Sequence, residues 1–268
     1  MQINPKEELT YLIRHYLIYY PSAESPFMRF FSDGSPGIII PMGNSELPFS
    51  IKTNSRKGKI MLYGLMEHYV DVPRPSTQGM IVVVLQPYSV ALLSELDPFK
   101  LKNRILFLSE ILPGLTHALE NKISQADGIN EIIELVEDFF HALFFSKGRP
   151  EQVITDCIKI IKANSGNISM TKLLQELPLS ERHLERKFNR WIGTSPKKFF
   201  GIVRFTEFLK LLRQNTKISA GAAALATGYY DQAHLNNHFK SLTGSTPSKY
   251  LEGKDPTAMN LFYPGRRI

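Results

Sequence analysis

The residues of this sequence whose types and spacing could do chemistry lie in two stretches, and their chemistry is hydrogen bonding rather than catalysis. In the first, SERHLERKFNRWIGTSPKKF (residues 180–199), Leu184 and Phe188 stand four apart and make one apolar helical stripe. The opposite face then carries Arg182, Glu185, Arg186 and Asn189. In the second, DQAHLNNHFKSLTGSTPSKY (residues 231–250), Leu235 and Phe239 form the stripe. Gln232, Ala233, Asn236 and Asn237 fall opposite. A guanidinium donates two parallel bonds to guanine, Asn and Gln amides pair with adenine, and Glu accepts from cytosine. Such a set suits the edges of bases in double-stranded DNA. Lys197, Lys198, Lys240 and Lys249 sit near helix starts or ends, where an ammonium can meet a phosphate. A merely solvated face would carry similar residues, so the case rests on the elements that hold them.

Those elements form an internal repeat with an offset of 51 residues. Ser180 pairs with Asp231, His183 with His234, Leu184 with Leu235, and Phe188 with Phe239. Gly193 pairs with Gly244, Pro196 with Pro247, and Phe199 with Tyr250. Ser180 and Asp231 are expected N-caps, because their oxygens can accept from free helix amides. Gly193 and Gly244 are expected to end each helix in the left-handed region. Pro196 and Pro247 can open the next helix, with Ser195 and Thr246 as caps. Upstream, Ser169 precedes a short apolar helix with Leu173, Leu174 and Leu177, and Pro178-Leu179 turns into Ser180. Ser219 precedes AGAAALAT, where Ala220, Ala223 and Ala224 allow close approach, and Gly228-Tyr229-Tyr230 turns into Asp231. Short helix, tight turn and capped second helix is the helix-turn-helix plan, here twice. Residues 196–212 read as one long helix joining the two units.

Charge agrees with that plan. Residues 151–268 hold 18 Lys and Arg against 9 Asp and Glu, whereas residues 1–150 hold 14 against 16. The basic half is the one expected to meet a polyanion. The chain has 268 residues, room for two domains, and 43% hydrophobic residues, as a soluble globular protein has. It shows no membrane-length apolar run and no signal-peptide pattern at residues 1–8. Its one cysteine, Cys157, permits no internal disulfide and is read as core. These features point to the cytoplasm. Enzyme readings find no support. His15, His68, His117 and His141 are too scattered for a metal cupin, and no Gly-rich phosphate loop or G-x-S-x-G elbow occurs. His234 and His238 have i, i+4 spacing but no evident third ligand, so no metal and no cofactor is expected.

The N-terminal half reads as a small antiparallel β barrel or sandwich with helices. A helix is expected over residues 5–15. Strands are expected over 17–20, 28–31, 37–41, 47–52, 59–66, 68–72 and 79–85, with Pro and Gly between them. Helical segments are expected over 89–96, 103–111 and 129–145. The last has apolar residues on more than one face (Ile132, Ile133, Leu135, Val136, Phe139, Phe140, Leu143, Phe144 and Phe145), which suggests a dimer contact. A linker is expected over 146–150.

The C-terminal stretch, from about residue 153 to 251, resembles the DNA-binding domain of the AraC family. Leu184, Phe188, Gly193, Pro196, Arg204, Gly228-Tyr229, Asp231-Gln232, His234, Phe239-Lys240, Gly244 and Thr246-Pro247 carry the match. The resemblance implies a seven-helix domain in a bacterial-type transcription regulator. Its base-reading positions fall on Arg182, Glu185, Arg186, Gln232, Ala233, Asn236 and Asn237. Ala220 and Ala223 stand where the family often has larger aliphatics, and Phe208 where a small residue is common. Residues 38–87 resemble the cupin-like N-terminal domain of unknown function attached to some of these regulators. Ile40-Pro41-Met42-Gly43, Glu46-Leu47, Gly64 and the run from Val82 to Pro87 carry that likeness. It implies a sensing or dimerisation domain. The expected organisation is therefore α+β: an N-terminal β-rich domain over 1–147, an all-α domain with two helix-turn-helix units over 151–253, and a tail over 254–268. RNA polymerase, a small-molecule effector at the N-terminal domain and a second copy of the chain stand as further candidate partners, and no membrane is expected. The alternative is an architectural nucleic-acid binder with no regulatory role.

Overall fold

The computed structural model describes residues 1–20, 27–31, 33–42, 58–73, 79–93, 96–144, 148–215 and 217–251. Its N-terminal half is built on a six-stranded antiparallel sheet in the order β1-β2-β7-β4-β5-β8. The strands are β1 (Gln2–Ile3), β2 (Ile13–Tyr19), β4 (Gly37–Pro41), β5 (Met61–Tyr63), β7 (Met80–Leu85) and β8 (Ile105–Phe107). A separate pair, β3 (Phe27–Phe30) and β6 (Val70–Pro73), is antiparallel with Phe30 opposite Val70.

The central strands are almost wholly apolar because both faces are covered. On β7, Met80, Val82 and Val84 join one apolar cluster with Phe30 and Val70 of the small sheet, so two sheets sandwich it. Ile81, Val83 and Leu85 point the other way, into the main core. Leu17 against Tyr16 and Ile18 on β2, and Ile39 against Ile38 and Ile40 on β4, repeat the alternation that a pleated strand imposes. Register follows: Val83 lies between Tyr16 and Ile38.

Four helices accompany the sheet: α1 (Ser89–Leu93), α2 (Pro98–Leu101), α3 (Pro113–Ile123) and α4 (Ile129–Phe144). The apolar surplus of α4 is absorbed by the chain itself. Ile132, Ile133, Val136, Phe140 and Phe144 are buried, and Leu135, Phe139 and Leu143 pack partly against the same core.

Two sequence expectations are corrected. Residues 5–15 are not a helix: only Glu7–Leu9 make a 3-10 turn, and strand begins at Ile13. Leu9, Leu12, Ile13 and Tyr16 have helical spacing and all four are buried, but they reach the core as a turn followed by an extended strand. Residues 103–111 are likewise β8 followed by a 3-10 turn over Leu108–Glu110. Asn103 takes a left-handed backbone, φ 56°, which breaks any helix there. The expected strand over 47–52, Phe145 and the first two linker residues lie outside the described residues.

The C-terminal half is seven helices among the described residues. They are α5 (Gln152–Ala163), α6 (Met170–Gln175), α7 (Glu181–Trp191), α8 (Pro196–Gln214), α9 (Ala220–Ala226), α10 (Gln232–Thr243) and α11 (Pro247–Leu251). Cys157 is buried in α5, and burial pushes its thiol up to about 12. Phe208 is fully buried on α8 and meets Tyr229 and Phe239 edge-on. Phe208 and Ala223 belong to one buried core, while Ala220 is half-buried.

The main core does not stop between the halves. Phe31, beyond β3, sits edge-on to Phe205 of α8 at 5.9 Å and to Tyr250 of α11 at 6.1 Å. Phe205 in turn meets Phe239 at 5.3 Å. Replacing Phe205 by Ala should therefore cost about 3–5 kcal/mol. In urea the transitions seen by far-ultraviolet and by near-ultraviolet circular dichroism should shift down together. Separate transitions, with only one moved, would show that the halves unfold independently.

Candidate nucleic-acid interface

Each recognition helix is fixed at its start by a side-chain cap. Ser180 Oγ accepts from the His183 amide, and Asp231 Oδ1 accepts from the His234 amide at 2.7 Å. Ser169, Ser195 and Ser219 cap α6, α8 and α9 in the same way, and Thr246 Oγ1 accepts from the Lys249 amide. Gly193 and Gly244 follow the two recognition helices at φ 82° and 75°, where side chains with a Cβ are strained. Leu184, Phe188, Leu235 and Phe239 are buried at the base of both helices.

With those stripes inward, the proposed reading residues point out. Arg182, Arg186, Asn189, Gln232, Ala233 and Asn237 are exposed, and Glu185 and Asn236 are half-buried. None of these eight side chains makes a hydrogen bond or ion pair with the described residues, so their donors and acceptors are uncommitted. The structure thus brings each set of four onto one helix face, on two helices related by the repeat and joined by the 19-residue α8.

The lysines divide differently. Lys240 and Lys249 have no ion-pair partner among the described residues. Lys197 pairs with Glu181 at 3.3 Å. Lys198 donates to Glu67 at 2.7 Å, a carboxylate of the N-terminal half whose side chain is only 7% exposed. The Thr194 hydroxyl also donates to Glu67, at 2.5 Å, and Lys102 lies 3.4 Å away. Burial alone would raise the Glu67 carboxyl; the bonds from Lys198 and Thr194 and the Lys102 charge outweigh it and hold it below the usual carboxylate range.

Two features escaped the sequence reading. Glu67 is one. Its significance depends on a contact across 127 residues, and no local pattern marks it. Tyr230 is the other. It directly precedes the cap of α10, is 88% exposed, and stands where the first unit has the half-buried Leu179. The repeat itself held that signal, because an aromatic ring replaces an aliphatic at the mouth of one recognition helix.

His234, exposed, and His238, half-buried, both lie against Tyr229. The Tyr229 hydroxyl and His238 Nδ1 share a hydrogen bond at 2.9 Å, and Tyr229 meets both imidazoles face to edge or tilted. Burial, then the charges of His234 and Arg204, push His238 down to about 4. Near it, a cavity of about 200 Å³ opens where the two halves meet, lined by Glu67, His68, Lys198, Ile202, His238 and Leu242 among others.

Two helix-turn-helix units on one scaffold define a DNA-binding fold of the helix-turn-helix class. Residues 173–253 match the family model of a helix-turn-helix domain. Residues 1–107 match a domain of unknown function (DUF6597). The uncharacterized HTH-type transcriptional regulator YidL of Escherichia coli is 32% identical over 87 residues, 32% of this chain and 29% of that protein. An HTH-type transcriptional regulator of Haemophilus influenzae is 31% identical over 96 residues, 36% of this chain and 32% of that protein. The chain thus spans about a third of the length of the curated relatives it matches. Among solved structures, ToxT from Vibrio cholerae is 14% identical with a TM-score of 0.48, covering 88% of this chain and 96% of that one. A form of ToxT bound to an unsaturated fatty acid gives 15% identity, a TM-score of 0.48 and 94% coverage of that chain. Among the described residues no helix is long and apolar enough to cross a membrane.

Two half-buried imidazoles set a pH window. His15, lowered by burial and by Arg14, and His238 both sit at about 4 when folded, against 6.5 for the free side chain. Unfolding therefore takes up protons below pH 6.5. The stability these groups give is complete above that pH and is lost as pH falls toward 4. The urea midpoint should drop between pH 7 and 4.5, and His238→Gln should flatten part of that slope; an unchanged slope in the variant would mean His238 titrates alike in the folded and unfolded chain.

Proposed function

We propose that the chain is a sequence-specific DNA-binding transcription regulator of the AraC type. Helices α7 and α10 read successive major-groove segments roughly 10 base pairs apart. One observation carries the reading: two repeat-related helices, each capped and stripe-buried, leave two sets of uncommitted base-reading side chains facing outward. Arg182, Glu185, Arg186 and Asn189 serve the first half-site, and Gln232, Ala233, Asn236 and Asn237 the second. Tyr230 adds its phenol at the entrance of the second helix, Lys240 binds phosphate, and Lys197 and Lys198 can do so once released from Glu181 and Glu67. In this reading residues 1–147 form the sensing or dimerisation domain and 151–253 the DNA-binding domain; the tail expected over 254–268 lies outside the described residues. An effector acting from the N-terminal domain would find the 200 Å³ cavity in contact with both halves. RNA polymerase is the further partner of such a regulator, its place of work is the cytoplasm, and no catalytic step is required of any residue.

The test begins with duplexes selected from a random-sequence pool by the full chain. Affinity for the selected site should fall steeply with salt, because phosphate contacts release counterions. Equal binding of selected and scrambled duplexes would favour an architectural protein instead. Separating the half-sites by ~5 further base pairs should abolish specific binding, since the second helix would face the wrong side of the duplex.

Individual residues sharpen the assignment. Arg186→Ala should cost ~1–3 kcal/mol on the selected site and relax preference at one base pair, with little change in salt slope. Lys240→Ala should weaken all sequences alike and lower that slope by about one. Single-base variants titrated over a salt series report both. If Arg186→Ala weakens every variant equally, Arg186 is a backbone contact.

A further inference from the structure

The segment after β5 touches both helix-turn-helix units at equivalent places. Repeat partners Gly193 and Gly244 end α7 and α10. A Cβ on Gly193 would come within 2.6 Å of the Pro98 carbonyl, and one on Gly244 within 2.6 Å of the Tyr69 ring. Beside the first turn, Glu67 takes the bonds of Thr194 and Lys198. Beside the second, Arg29 donates to the Thr243 carbonyl at 2.9 Å while its guanidinium grips Asp71 and lies over Tyr69. The N-terminal half therefore holds the far ends of both recognition helices through residues 67–71, their strand partner Arg29 and the start of α2 at Pro98.

Within that grip one bond differs from the rest. Thr194 is buried, and the Lys102 side chain is only 18% exposed, so both are committed to Glu67. The Glu67 amide is itself fixed by Asn103 Oδ1 at 2.7 Å. Lys198 is 59% exposed, reaches Glu67 along the protein surface, and has no other ion-pair partner among the described residues. If Lys198 leaves, the carboxylate keeps Lys102 and Thr194 and is not stranded. Lys198 is thus the detachable member, at the start of the helix that joins the two reading elements.

We propose that Glu67 is a positioning residue that withholds Lys198 from DNA, so that a phosphate must compete with the N-terminal half for this ammonium. This rests on the DNA-binding reading above. Because coupling free energy is reciprocal, anything that draws residues 67–71 away from the first unit raises DNA affinity, and bound DNA loosens that contact by the same factor. The N-terminal half would thereby govern binding without covering the reading faces.

The test uses the full chain and a duplex it has selected from a random pool. Glu67→Gln keeps the size and the hydrogen-bonding oxygen but removes the charge. It should raise affinity roughly three- to ten-fold at moderate salt and steepen the salt dependence by about one ion, as one added phosphate contact does. Adding Lys198→Ala to that variant should return the slope to the wild-type value. An unchanged slope in Glu67→Gln, or a gain that survives in the double variant, overturns the proposal. Should Glu67→Gln not fold, Glu67→Asp draws the carboxylate back from Lys198 while leaving its charge beside Lys102, and the same steepening is expected of it. Arg186→Ala on the same duplex separates the two readings. A loss there without a gain from Glu67 variants sinks only the role of Glu67, whereas a wild-type chain that selects no sequence sinks both.

Discussion

The C-terminal half is organised by the burial of two short apolar stripes. Leu184 with Phe188, and Leu235 with Phe239, are side chains that water rejects, and each pair lies along one side of a helix of 11 or 12 residues. Helices that short are marginal in isolation, so they persist because that side is covered. Covering it fixes the roll of each helix about its axis, and the roll decides which polar residues face outward. The outward sets therefore follow from the inward ones. The caps and terminal glycines then fix where each helix begins and ends, which matters because recognition happens mostly in its first turns.

The join between the halves has a different character. Aromatic contacts such as Phe31 with Phe205 supply apolar area, but they are tolerant of small shifts. The Glu67 group is not. A carboxylate removed from water needs its partners at hydrogen-bonding distance, and losing all of them would leave an uncompensated charge. The Glu67 carboxylate meets this demand with Thr194 and Lys198 of the opposite half and Lys102 of its own, while Asn103 holds its backbone amide, which locks the register of one half on the other.

Sequence reasoning recovered the C-terminal half almost completely because its information is local and duplicated. Caps, i, i+4 stripes and terminal glycines lie within a dozen residues of what they specify, and the second copy confirmed the first. The β half was harder. Leu9, Leu12, Ile13 and Tyr16 mimic a helical stripe while belonging to a turn and a strand, and α3 was not anticipated because its buried residues are few, Thr116 and Leu119. β8 was read as helix since three strand residues carry too little periodicity to separate the two. Within the candidate site, which residues face outward was legible from periodicity, but the partner of Lys198 was not, for it comes from a residue far away in the chain.

The two outward faces are unlike. One offers two guanidiniums and a carboxylate, the other only neutral amides and a methyl group. A protein built from identical halves reads the same message from either end of the double helix. This chain, with one charged and one neutral face held in fixed order along α8, has a front and a back. Any site it prefers must have a direction too, and inverting that site turns the whole molecule around, carrying the N-terminal half to the other side of the target.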